Sequence, residues 1–154
     1  MDTIFAGITG EYFVAGELSR RGYIATVSLR NTAHVDILAS NGKKAVNIQV
    51  KTKRKKVSDG WAMGNKPLEV KKEWQDVFYV FVDLPIELEE KIGYYVIPKN
   101  DLNETVENNF QEHKKTPRRN GMPRTTQMRI FRIKEYPKFQ TGKYENNWDS
   151  IFKF

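Results

Sequence analysis

Three short segments carry the side chains that could do chemistry together. They are Gly7-Ile8-Thr9-Gly10-Glu11, His34-Val35-Asp36-Ile37-Leu38 and Asn47-Ile48-Gln49-Val50-Lys51-Thr52. At about 100° per residue, Glu11 falls inside one helical arc with Ile8, Ala15 and Leu18, while Glu17 falls on the opposite side. A carboxylate in an apolar stripe is costly unless it is paired or holds a cation. A helix rotated slightly, or a first-turn acid favoured by the helix dipole, is the plainer alternative. In the third segment Val46, Ile48 and Val50 share one strand face, and Asn47, Gln49 and Lys51 share the other. Asn41-Gly42 is a two-residue hairpin signal. That turn pairs Asp36 with Asn47 and makes Gln49 its diagonal neighbour, roughly 7–8 Å away at the backbone, within reach of one ion between the side chains. Asp36, Gln49 and Lys51 then converge on one polar strip. Taken alone, the strip also fits the wet face of an edge hairpin.

The elements that must position these residues are legible in outline. A first helix is expected over 9–21, with Thr9 as N-cap and Gly22 as its stop. Strands follow at 23–27, 34–39 and 45–52, with a loop at Asn31 and Thr32 and the turn at Asn41-Gly42. Residues 53–67 read as a basic loop carrying Trp61 and Met63. The continuously apolar run 77–82 (VFYVFV) is expected to be a central strand covered on both faces. Residues 85–91 form an acidic connection and 93–97 another strand. Asn100 is expected to cap a helix ending near Lys114. Residues 116–124 read as a mobile loop, 128–133 as a late strand and 147–152 as a short terminal helix. This order predicts an α/β fold: one mixed sheet of about five strands flanked by helices, with 1–154 forming a single domain.

Composition narrows the class. The chain has 154 residues, 39% of them hydrophobic, enough for one core. There is no cysteine, which excludes disulfides and thiolate metal sites. No basic n-region with a long apolar run opens the chain, and no stretch approaches the ~20 apolar residues of a membrane span. A cytoplasmic protein without membrane contact is expected. The net charge of +7 permits a polyanionic partner. Between Asp36 and Asp59 there is no acid, and that stretch holds Lys53, Arg54, Lys55 and Lys56. A second basic group is Lys114, Lys115, Arg118, Arg119 and Arg124. Solvated loop lysine is the plain reading of either group; phosphate contact is the functional one.

The three segments, in this order and with these residue types, resemble the core of the PD-(D/E)xK nuclease superfamily, or restriction-endonuclease-like fold. They are similar to archaeal Holliday junction resolvases and Mrr-like endonucleases, in a variant with glutamine at the acidic position of the motif. The resemblance covers 7–52, a third of the chain; 79–82 and 94–98 resemble later strands of those proteins less specifically.

The resemblance implies a metal-dependent endonuclease that hydrolyses phosphodiester bonds in DNA, duplex or branched. Asp36 would be the main ligand for Mg2+ or Mn2+, joined by Gln49 and the backbone carbonyl of Val50. Lys51 would orient or deprotonate the attacking water and steady developing phosphate charge. Glu11 would complete the pocket, directly or through metal-bound water. Magnesium prefers oxygen ligands and can activate water and stabilise a pentacovalent phosphate. The two basic groups would contact phosphates without reading sequence, and a homodimer would allow both strands to be cut. Gln49 departs from the pattern, because a neutral amide binds magnesium less well than a carboxylate. It keeps open a second reading, a catalytically weakened nuclease-fold module that binds nucleic acid or a protein partner. A third is an unrelated α/β protein in which the motif is chance. His34 and His113 read as structural rather than as a zinc pair. Trp61 and Trp74 could stack on bases, with core packing favoured for Trp74. Gly7 and Gly10 are not a phosphate loop, since no strand precedes them and no GK[ST] follows.

Overall fold

The computed structural model describes residues 2–28, 35–72 and 76–153. The expected loop at Asn31 and Thr32, together with His34 and Trp74, lies outside the described residues.

The first helix, α1, spans Thr3–Ser19 and begins well before Thr9. Its N-cap is Asp2, whose side chain accepts from the Ile4 N–H at 3.4 Å. A short polar residue ahead of an apolar run is a proper cap, so the helix starts at this end of the apolar run and not at Thr9. Gly22, at φ 85°, ends the turn after α1 as expected. The buried row on α1 is Ala6, Gly10, Val14 and Leu18, one residue every fourth position, and Glu11 sits half-buried beside it.

The main sheet has five strands in the order β1 (Ile24–Val27), β2 (Ile37–Ser40), β3 (Ala45–Arg54), β5 (Val77–Leu84) and β6 (Gly93–Pro98). It is mixed, as expected: β3 and β5 run parallel and the other three pairs antiparallel. β5 is buried on both faces. On one face Val14 and Leu18 of α1 pack with Ile37, Ile48, Val80, Val96 and the returning residues Trp148 and Ile151. On the other, Tyr79, Phe81 and Ile97 pack under Trp61, Phe131 and helix α2 (Lys99–Lys115). Each such side chain, fully buried, contributes roughly 1.5–3 kcal/mol.

Three expectations are corrected. The hairpin closes through four residues, Asn41–Lys44, because the Asn41 side chain accepts from the N–H of Lys43 (3.0 Å) and of Lys44 (2.8 Å). Register therefore runs Ile37↔Ile48 and Leu38↔Asn47. The stretch 53–67 is not all loop. Trp61–Gly64 forms β4, paired with β7 (Arg129–Phe131) in a second, two-stranded sheet. Asn100 does not cap α2, which starts at Lys99 behind Pro98 with no side-chain cap. Residues 116–124 turn back through bonds from Arg118 N–H to the Met122 carbonyl and from Gly121 N–H to the Arg118 carbonyl.

Candidate functional site

Asp36 is held where β2 begins. Its N–H donates to the Ile48 carbonyl and its own carbonyl accepts from Ser28 N–H, both at 2.9 Å, so its backbone is fixed between β1 and β3. The carboxylate turns toward β3, where Oδ2 accepts the Val50 N–H at 2.7 Å. In an extended strand one residue's N–H and C=O point to the same edge. The Val50 carbonyl is thus turned toward the edge that Asp36 occupies.

The register correction brings the site closer together. A two-residue slip keeps side chains on their faces, because strand periodicity is two. The paired register ends at Ile37↔Ile48; Asp36, just before it, bonds through its N–H to the Ile48 carbonyl and through Oδ2 to the Val50 N–H, so it bridges the two residues that flank Gln49. Gln49 is 8% exposed, and its Oε1 is buried with no hydrogen-bond partner. Lys51, half-buried, follows on the same face and lines the same cleft. In β5, Tyr79 stands level with Gln49. Burial pushes the Tyr79 phenol well above its usual range, and the nearby Asp36 charge pushes in the same direction.

Glu11 comes to β3 from α1, which packs on the sheet face opposite to the one that carries Gln49, Lys51 and Tyr79. The helix crosses β3 at a close approach: a Cβ on Gly10 would lie 1.9 Å from Thr52 Oγ1, so only glycine fits there. Glu11 is the next residue, which sets it at the crossing of α1 over the Lys51-Thr52 end of β3. Thr52 Oγ1 is also buried without a partner.

The cleft has a volume of about 730 Å3, and its far wall is made by residues that the sequence did not single out. Lys99 and Asn103 of α2 face Gln49 and Lys51 across it. Lys99 is only 4% exposed. Burial, together with the charges of Lys51 and Lys71, lowers its pKa. The 65–71 segment forms the rim and is fastened to α2 by one polar row. Asn100 Nδ2 donates to the Lys71 carbonyl (2.8 Å), Asn103 Nδ2 to the Glu69 carbonyl (2.6 Å), and Glu107 accepts the Leu68 N–H (3.2 Å). That spacing of three and four residues is a helix face, the signal that could have revealed it. Arg129 of β7 locks the arrangement from behind with a two-pronged bond to Glu107 at 2.6 and 3.0 Å, plus a bond to the Asn65 carbonyl at 3.1 Å.

The two basic groups differ. Lys53 is paired with Asp83 at 2.7 Å, and Lys55 and Lys56 share Glu90 at 2.9 and 3.2 Å. Arg54 is half-buried at the end of β3. In the second group Lys115 pairs with Glu112 at 2.6 Å, and Lys114 lies 5.7 Å from the Phe110 ring. Arg118 donates to Thr125 Oγ1 at 3.1 Å and Arg124 to the Thr116 carbonyl at 2.9 Å, while Arg119 is exposed. The second group follows the end of α2 remote from Lys99. His113 is exposed, and among the described residues no three His, Asp or Glu side chains gather. Trp61 is a core residue, donating from Nε1 to the Val82 carbonyl at 2.9 Å, and is not placed to stack on bases. Among the described residues no helix is long and apolar enough to cross a membrane.

No family model matches the chain, and no curated protein matches it. Among solved structures it is similar to one titled as that of a bacterial homing endonuclease, I-Ssp6803I. The TM-score is 0.57 at 15% identity, and the match covers 98% of this chain and 93% of that one. At that identity the likeness is one of fold, and it extends over nearly the whole of both chains.

Proposed function

We propose that residues 1–154 act as one nuclease domain of the PD-(D/E)xK type, hydrolysing phosphodiester bonds in DNA with a divalent metal ion. One observation carries the reading. The Asp36 carboxylate accepts the N–H of Val50, the residue between Gln49, whose Oε1 is buried and unpartnered, and Lys51, which shares the Gln49 strand face. The likeness in fold to a homing endonuclease is consistent with it.

A hard cation fits this donor set. Asp36 Oδ1, Gln49 Oε1 and the Val50 carbonyl would be its protein ligands, with Glu11 acting directly or through water. An orphaned buried acceptor such as Gln49 Oε1 gains the partner it lacks when a cation binds. When bound, the ion supplies an activated water and charge stabilisation at the phosphoryl oxygens. The chain's own groups do the rest. Val50 N–H fixes one Asp36 oxygen and so aims the other. The Lys51 ammonium would orient the attacking water and offset negative charge developing on the phosphate. A homodimer would present two such sites to a duplex or a branched junction.

A second reading is favoured by Gln49 itself: with one carboxylate fewer, the fold would bind nucleic acid or a protein partner without cutting. Titration with Mg2+ or Mn2+ separates the two, since absence of metal binding supports the second. The direct test incubates the protein with supercoiled, linear, single-stranded and four-way-junction DNA in Mg2+ or Mn2+. Cleavage is expected for the wild type and about a hundredfold less, or lower still, for Asp36→Ala and Lys51→Ala. Equal cleavage by all three proteins would attribute the activity to a contaminant and overturn the proposal.

A further inference from the structure

Helix α1 carries an apolar face that none of the described residues covers. Phe5 and Tyr12 are 64% and 67% exposed, and Ile4 and Phe13, also exposed, flank them. At about 100° per residue Phe5, Thr9, Tyr12 and Gly16 fall in one narrow row, on the side away from the buried row Ala6, Gly10, Val14 and Leu18. Their spacing of four, three and four residues is that of a helix-pairing seam. Large and small side chains alternate along it. Set antiparallel against a copy of itself, the row pairs position 5 with 16 and 9 with 12, so each aromatic ring meets a small residue. Two-fold symmetry then repeats every contact, as an interface between identical surfaces requires. Gly16 supplies the hollow, because a Cβ built on it meets nothing within 4 Å. Glycine weakens a helix interior, and nothing in the packing within one chain calls for it there. A parallel pair would set ring against ring and hollow against hollow.

Charge selects the same occupant. Residues 3–19 hold no lysine or arginine, and their two acids, Glu11 and Glu17, are half-buried. The face therefore offers nothing to phosphates, and it lacks the basic flank by which a surface helix holds an anionic membrane. Two copies at +7 repel each other, and they meet at least cost where lysine and arginine are missing. Asp2 and Arg20, both exposed, stand about five whole turns apart and so lie on one flank of the seam. Antiparallel pairing brings Asp2 of each copy toward Arg20 of the other. The four apolar side chains expose roughly 400 Å2, within the range of the largest patch on a typical monomer. Two such faces with their rims come to about the 1,000 Å2 that a specific interface buries.

We propose that the chain self-associates through α1, two copies packing antiparallel along the row Phe5, Thr9, Tyr12 and Gly16. α1 and the cleft at Gln49 and Lys51 lie on opposite faces of the sheet, so both clefts stay open in the dimer. The proposal stands independently of the nuclease reading, since mass and not cleavage reads it.

Sedimentation equilibrium of the full chain, up to about 100 μM, is the first test. The wild type is expected at twice the chain mass of 18.0 kDa. Tyr12→Glu puts a charge in the seam and Gly16→Leu fills the hollow, and each should weaken association by about tenfold or more. Both positions are exposed and leucine favours a helix over glycine, so both variants should keep the wild-type circular dichroism. The chain has no cysteine, so crosslinking reads the orientation. A mixture of Phe5→Cys and Gly16→Cys proteins should form a disulfide-linked dimer on oxidation with copper–phenanthroline. Neither variant alone should, because like positions of the antiparallel pair lie about 16 Å apart along the axis, beyond disulfide reach. A wild type that stays monomeric over the whole range overturns the proposal. So does a dimer that both folded variants leave intact, or crosslinking of either cysteine variant with itself and not in the mixture. Pelleting with phosphatidylcholine–phosphatidylserine vesicles tests the rival occupant: a monomer that binds them, and loses them with Tyr12→Glu, gives the face to a membrane and overturns the proposal as well.

Discussion

A glutamine amide offers a cation a dipole where a glutamate offers a full charge, and Gln49 makes that difference measurable. Its Oε1 is buried without a hydrogen-bond partner, and the Asp36 carboxylate bonds the N–H of the next residue, Val50. Gln49→Glu is therefore expected to tighten Mg2+ or Mn2+ binding by about tenfold or more, since ligand charge count sets affinity at oxygen sites. The same change should lower the unfolding temperature of the metal-free protein, because two carboxylates would then share a buried corner. Calorimetric titration with the metal and thermal unfolding with and without it read both effects. Unchanged affinity would remove Gln49 from the ligand set. At this scale the candidate site was half legible. Asp36, Gln49 and Lys51 could be read from the sequence because strand alternation fixes which side chains share a face, and that survives an error in register. The burial of Lys99 could not be read, because it depends on packing against a distant part of the chain. A lysine before an acidic helix looks like any solvated lysine.

Between elements, what went unread was mostly polar. The hairpin turn was misjudged because Asn-Gly favours a two-residue loop, yet the Asn41 side chain found two backbone N–H groups and closed a longer one. The β4–β7 pair was missed because its strands are short and lie far apart in sequence, so neither shows a long alternation. β5 was read correctly, because a strand buried on both faces needs an unbroken apolar run. The row Asn100, Asn103 and Glu107 ties the cleft's rim to α2, and Arg129 holds Glu107 in turn. The Arg129 hydrogen bonds bring the Glu107 pKa down to about 2 from the usual 4.5. A carboxyl lowered on folding adds stability that is fully present above its unfolded value and is lost as pH falls toward its folded one. Wild-type stability should thus decline between about pH 4.5 and 2 through this pair, and Glu107→Gln should flatten that part of the curve. At neutral pH the same variant should cost roughly 1.5–3 kcal/mol, the worth of a hydrogen bond to a charged group. Denaturant unfolding across that pH range checks it. A variant curve parallel to the wild type would mean that the pair does not hold the rim.

Over the whole molecule, a net charge of +7 says that a polyanion is welcome and not where it lies. The pairing pattern supplies the location. Lys55 and Lys56 face the Glu90 carboxylate, so a phosphate must displace an existing partner to use them. Arg118 and Arg124 bond only to a hydroxyl and a carbonyl among their described contacts; those neutral oxygens leave the guanidinium charge unspent, and Arg119 stands exposed between them. This second group follows α2, whose length separates Lys114 from Lys99 by roughly 22 Å at about 1.5 Å per residue. That span is comparable with a duplex width, so under the proposed nuclease function this group would meet phosphates away from the Asp36–Lys51 corner. Neutralising Arg118, Arg119 and Arg124 to glutamine should then flatten the salt slope by about two to three and weaken binding similarly for every sequence. Neutralising Lys55 and Lys56 should change the slope by less than about one, because their ion pairs with Glu90 already hold these lysines and leave them little contact with phosphate to lose. Turnover at saturating DNA should be unaffected in both sets, since neither touches the Asp36–Lys51 corner. Equal slopes for the two variants, measured by anisotropy over the same salt range, would show that the ion pairs with Glu90 do not hold in solution and that both groups meet DNA alike.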